Sequence, residues 1–119
     1  MDIRSKIWIE IKGETVFGSG RRFLLRAIDK HGSVNRAARD INLSYRKALS
    51  YIKSMEQRLG FKLAERKAGG RHGGGATLTK EAKEFLRKYE MLEDGINDML
   101  DKRFLKVFGK KKRGQIIVK

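Results

Sequence analysis

Two short helical patterns meet at one tight turn between Ser33 and Leu59, and that arrangement restricts the fold more than any other feature of the chain. Ser33 carries the hydroxyl that caps a helix start. Val34, Ala37, Ala38 and Ile41 then repeat on one face, while Asn35, Arg36, Arg39 and Asp40 stay polar. The small alanines allow another helix to pack closely. Asn42-Leu43-Ser44 interrupts the pattern: asparagine tolerates left-handed backbone, Leu43 turns inward, and Ser44 caps a second helix. That helix is predicted over Tyr45 to Leu59, with Ala48, Leu49, Ile52, Met55 and Leu59 inward and Gly60 as its stop. Together these segments read as a helix-turn-helix.

The outer face of the second helix carries Arg46, Lys47, Ser50, Lys53 and Ser54, and no Asp or Glu stands between Asp40 and Glu56. A face that only meets water more often mixes acids with its bases, so this one suits a phosphate backbone. The whole chain agrees, with 29 Lys and Arg against 14 Asp and Glu and a net charge of +15. Such a balance also suits a lysine-rich thermophilic surface; the acid-free helix face is the feature that turns it toward a polyanion. With 119 residues, 39% of them apolar, the expectation is one compact unit with a protruding element. There is no cysteine for disulfides or thiolate ligands, and no apolar run suits a signal peptide or membrane span. A cytoplasmic, nucleoid-associated protein with no membrane partner is expected.

Lys6 to Ile11 and Glu14 to Phe17 read as a hairpin over residues 6–17. Arg21 to His31 reads as a helix with Phe23, Leu24, Ala27 and Ile28 inward and Gly32 as its stop. Beyond the helix-turn-helix, Lys62 to Ala68 and Ala76 to Thr79 are strand-like. They are joined through residues 69–75, where five of seven positions are glycine and a surface tip carries Arg71 and His72. Thr79 caps a long last helix, in which Phe85, Tyr89, Leu92, Ile96 and Met99 form a heptad seam interrupted by Gly95. Packing within its own domain explains the first half of that seam equally well; for the second half a dimer contact is expected. Residues 105–119 form a basic tail, open to reading as a phosphate contact or as a solvated end.

The fold class expected is therefore mainly α with small β elements (α+β). Its divisions are a DNA-binding domain over 1–79, a dimerisation helix over 80–104 and the tail, with residues 33–59 and 62–79 forming the central motif and the second hairpin. Enzymatic signatures find no support in the same residues. Gly18-Ser19-Gly20-Arg21-Arg22-Phe23 puts Phe where a dinucleotide fingerprint needs its third glycine, and no phosphate-loop lysine follows a glycine at the required spacing. His31 and His72 stand far apart without an HExxH spacing, and no serine sits in a nucleophile elbow. No catalytic residue, metal site or cofactor is expected, and the chain is not read as an enzyme.

With Ala37-Ala38-Arg39-Asp40-Ile41-Asn42-Leu43-Ser44, Ala48, Ile52, Met55-Glu56, Leu59-Gly60 and Leu63, the chain resembles the winged helix-turn-helix of LysR-type regulators. Ser44-Tyr45-Arg46-Lys47-Ala48, Glu65-Arg66 and the glycine-rich stretch ending Ala76-Thr77-Leu78-Thr79 look more narrowly like the N-terminal domain of ModE, the molybdate-responsive regulators. The similarity covers residues 18–104. Asn42 stands where many relatives have Gly, and Leu49 where ModE proteins often have Trp.

The resemblance implies that the helix from Ser44 enters the major groove and that the glycine-rich hairpin is a wing. DNA-facing candidates are then Ser44, Tyr45, Arg46, Lys47, Ser50, Lys53 and Ser54 on the recognition helix, Ser33, Asn35 and Arg36 on the preceding helix, and Arg66, Lys67, Arg71 and His72 in the wing. Phe85, Tyr89, Leu92, Ile96 and Met99 become the dimer seam. The function implied is a homodimeric, sequence-specific regulator of double-stranded DNA. ModE proteins continue into molybdate-binding domains and this sequence does not, so the effector stays unnamed and molybdate is disfavoured. A sequence-tolerant architectural protein and a winged-helix module for protein or RNA are the alternatives.

Overall fold

The computed structural model describes residues 1–67 and 75–109. The described elements are β1 (Ile9–Ile11), β2 (Glu14–Phe17), α1 (Ser19–His31), α2 (Val34–Asp40), α3 (Tyr45–Leu59), β3 (Ala64–Arg66), β4 (Ala76–Leu78) and α4 (Lys80–Phe108). Four helices and two antiparallel two-stranded sheets match the mainly α, winged helix-turn-helix class expected.

β1 and β2 turn through Lys12 and Gly13, whose φ values of 52° and 82° provide the doubly left-handed turn that matches strand twist. The ladder begins at Ile9, with a register shift between Ile9 and Glu10, so Lys6, Ile7 and Trp8 fall outside the strand expected there. Trp8 is exposed and its Nε1 donates to Glu10 Oε2 at 2.7 Å.

α1 starts two residues before the expected position and ends at Gly32, whose φ of 65° lets its N–H return to the Ile28 carbonyl. Its buried side chains are Leu24, Leu25, Ala27 and Ile28. Phe23, expected inward, is half exposed with the Arg22 guanidinium 4.5 Å from its ring centre. Leu25 is buried instead, and Phe23 lies roughly 160° round the helix from it, on the outer side.

α2 and α3 obey their caps. Ser33 Oγ accepts from the Arg36 N–H at 3.2 Å, and Ser44 Oγ accepts from the Lys47 N–H at 3.1 Å. Between them Asn42 takes φ 59°, and the Leu43 N–H reaches back to the Ala38 carbonyl at 2.8 Å. Val34, Ala37 and Ala38 are buried on α2, and Ala48, Ile52 and Met55 on α3. Leu49 and Leu59, expected inward, are only partly covered. Phe17 meets Phe85 edge-on at 4.9 Å between ring centres, which joins the hairpin to the first turns of α4. Each fully buried large apolar side chain contributes about 1.5–3 kcal/mol.

The described chain divides into two compact units, one of Ile7–Arg87 and the other of Met1–Lys6 together with the residues from Lys88 onward. Within the second unit, Ser5 Oγ donates to Asn97 Oδ1 at 2.6 Å, and the Phe104 and Phe108 rings lie 4.9 Å apart. α4 runs four residues beyond the expected end at 104. Gly109, at φ 69°, then closes it by donating to the Leu105 carbonyl. Of the seam residues, Tyr89 is buried, Phe85 and Ile96 are partly covered, and Leu92 and Met99 are 51% and 58% exposed.

Candidate nucleic-acid interface

At about 100° per residue, Arg46, Lys47, Ser50, Lys53 and Ser54 fall within an arc of about 120° on α3, nearly opposite buried Ala48, Ile52 and Met55. Arg46, Lys47, Ser50 and Lys53 are exposed and Ser54 is partly covered. The arc holds three cations, two hydroxyls and no acid. Such a surface can donate to phosphate oxygens and to base acceptors alike. Ser33 and Ser44 share their hydroxyl oxygens with helix caps, which leaves each O–H hydrogen to donate.

Tyr45 stands apart from that arc, toward the wing. Its exposed hydroxyl accepts a hydrogen bond from Arg66 Nη1 at 3.0 Å. β3 and β4 pair Ala64 with Leu78, Glu65 with Thr77 and Arg66 with Ala76, and the Lys67 N–H extends the ladder to the Gly75 carbonyl. The base of this hairpin is tied to the helices. The Ala76 N–H donates to the Gly32 carbonyl at 2.8 Å, and a Cβ at Gly75 would come within 3.2 Å of that same oxygen. The Leu63 N–H donates to Glu56 Oε2 at 2.8 Å. Thr79 Oγ1 donates to the Lys62 carbonyl at 2.6 Å while accepting from the Ala82 N–H, so one hydroxyl joins the hairpin to the start of α4.

Between these elements lies a cleft of about 950 Å³ lined by Ser33 and Asn35 from α2 and its cap, Tyr45 from α3, and Lys62, Glu65, Arg66 and Lys67 from the hairpin strands and their approach. Five of the expected DNA-facing residues thus meet at one cleft, and Arg46, Lys47, Ser50, Lys53 and Ser54 continue along the outer arc of α3. Arg36 is exposed on α2 but does not line the cleft. Arg71, His72 and the tail from Lys110 onward lie outside the described residues. Lys62 is an addition to the expected set: in sequence it is an ordinary strand residue, and only the folded hairpin shows its place at the cleft.

His31 Nε2 lies 3.0 Å from Asp40 Oδ2, tying the end of α1 to the end of α2. That hydrogen bond, together with the charges of His31 and Lys30, holds the Asp40 carboxyl below its ordinary value of 3.8. Among the described residues no three His, Cys, Asp or Glu side chains are grouped to hold a metal ion, and no helix is long and apolar enough to cross a membrane.

Residues 23–83, from the middle of α1 through the hairpin to the first turn of α4, match the family model of the bacterial regulatory helix-turn-helix protein, lysR family. The chain belongs to the LysR-type helix-turn-helix family. This LysR-type chain is 39% identical over 88 residues to the molybdenum transport protein ModE of Azotobacter vinelandii, covering 74% of this chain and 33% of that protein. It is 36% identical over 80 residues to the DNA-binding transcriptional dual regulator ModE of Escherichia coli K12, covering 66% of this chain and 30% of the relative. It therefore spans about a third of the length of these relatives. The ModE resemblance read from Ser44 to Ala48 and from the glycine-rich hairpin is met by these matches. Among solved structures, the CbnR DBD in a DNA complex superposes with a TM-score of 0.55 at 22% identity, over 71% of this chain and 93% of that one. ArgP of Mycobacterium tuberculosis gives 0.51 at 22% identity, over 70% and 30%. Both show the same fold.

Proposed function

We propose that this LysR-type chain binds double-stranded DNA in a sequence-specific manner and acts as a homodimeric transcriptional regulator. The observation that carries the proposal is the acid-free arc of α3 continuing into the cleft beneath the wing. α3 enters the major groove, where Arg46 and Ser50 reach base edges and Lys47 and Lys53 meet phosphates. Ser33, Asn35, Arg66 and Lys67 contact the backbone on the wing side, with Arg36 beside them and Arg71 and His72 at the wing tip. Two copies join along α4 through Leu92, Ile96 and Met99, extending the seam that Phe85 and Tyr89 begin, and place two α3 helices about 34–36 Å apart on one face of the duplex. The regulator family and the DNA complex of the CbnR structure support the reading. What the relatives' names say of molybdenum stays with those proteins, because this chain spans about a third of their length.

The test is selection of bound duplexes from a random library, then titration of the winner and a scrambled control at about 150 mM salt. An inverted repeat bound at least about a thousandfold more tightly than the control is expected. Equal binding of both duplexes would instead favour a sequence-tolerant architectural protein, which the charge of +15 also suits.

A further inference from the structure

We infer that Tyr45 is a positioning residue for Arg66: its phenol holds the guanidinium over the cleft between α3 and the wing, so that helix and wing meet the DNA backbone as one unit. This inference rests on the DNA-binding reading above. Tyr45 lies outside the polar arc of α3, roughly 100° from Arg46 and toward the buried side, so it is poorly aimed at the bases that Arg46 would read. Its hydroxyl instead accepts from Arg66 Nη1 at 3.0 Å, across 21 residues of sequence.

A phenol suits this task better than a carboxylate. A carboxylate would orient the guanidinium but also neutralise it, and would repel a phosphate. The neutral hydroxyl orients Arg66 and leaves its positive charge available. One N–H of the fork is used, and the others remain for bidentate contact with a phosphate. Lys62 and Lys67 line the cleft with Arg66, against the single acid Glu65. Arg66 side-chain freedom is restricted before DNA arrives, which lowers the entropy lost on binding. The bond also links a base-reading helix to a hairpin that touches only backbone.

A double-mutant cycle tests this on the full chain, with the selected duplex and a scrambled duplex of the same composition as probes. Arg66→Ala should weaken binding about tenfold, and Tyr45→Phe about fivefold. In the Arg66→Ala background Tyr45→Phe should cost less than about twofold, because its partner is already gone. In the Arg46→Ala background it should still cost about fivefold. Unfolding curves of Tyr45→Phe and Arg66→Ala should overlay the parent, since both positions are exposed. Equal losses with and without Arg66, or no loss in either, would overturn the inference while leaving DNA recognition standing. If the parent chain binds neither duplex, the DNA reading itself fails and this role falls with it.

Discussion

Glu56, one turn from the end of α3, accepts the backbone N–H of Leu63 at 2.8 Å, so its carboxylate ties α3 to the approach to β3. Its removal leaves a partly buried amide without its acceptor, a loss of about 1–3 kcal/mol. Glu56→Ala should lower the unfolding free energy by that amount in urea denaturation, and Glu56→Gln, which keeps an acceptor oxygen, should lose less than half as much. Equal losses for the two variants would show that the bond contributes little.

Arg46 and Lys47 are neighbours on the outer arc of α3 with different expected roles. Arg46→Ala should weaken binding to the selected duplex by about 1–3 kcal/mol and leave the scrambled duplex nearly unaffected. Lys47→Ala should weaken both alike and reduce the salt slope by about one unit. Fluorescence anisotropy at several salt concentrations checks both. Equal losses on both duplexes for Arg46→Ala would remove its assignment as a base reader.

Ser33, Ser44 and Thr79 are legible as caps in the sequence because a hydroxyl before a periodic apolar run answers a fixed need of every helix start. Gly32 and Gly60 are legible as stops because both take the left-handed backbone that ends a helix. The polar arc of α3 emerges from periodicity alone. The bonds of Arg66 to Tyr45, Leu63 to Glu56 and His31 to Asp40 are not legible, since each joins separate elements and depends on how those elements pack. Phe23 is misplaced by sequence reasoning for a related cause: α1 is covered on a side that takes Leu25, and periodicity by itself leaves both assignments open.

Leu92 and Met99 are large apolar side chains with 51% and 58% of their surface exposed in the single chain. If they form the dimer seam, Leu92→Lys combined with Met99→Lys should raise the dimer dissociation constant by at least about a hundredfold, from the loss of apolar burial and the repulsion of facing charges. Sedimentation equilibrium measures this directly. An unchanged association state would move the dimer contact to another surface.

Asp40 sets an acid dependence whose sign comes from its hydrogen bond to His31. Because the folded-state carboxyl lies below its ordinary value of 3.8, its contribution is present above that pH and is lost as pH falls through the lower folded value. The melting temperature of Asp40→Asn should therefore lie below that of the parent above the ordinary carboxyl range, with the gap closing as pH falls through the lowered folded-state value. A gap that persists unchanged into acid would assign the difference to packing rather than to ionisation.

Backbone amide chemical shifts, followed while the selected duplex is titrated into the protein, measure residue by residue which surface meets DNA. The largest changes are predicted at Ser33 to Arg36, at Ser44 to Ser54 and at Arg66 and Lys67, with the β1–β2 hairpin little affected. Changes concentrated on β1–β2 or on the outer face of α1, with α3 silent, would contradict the placement of α3 in the major groove.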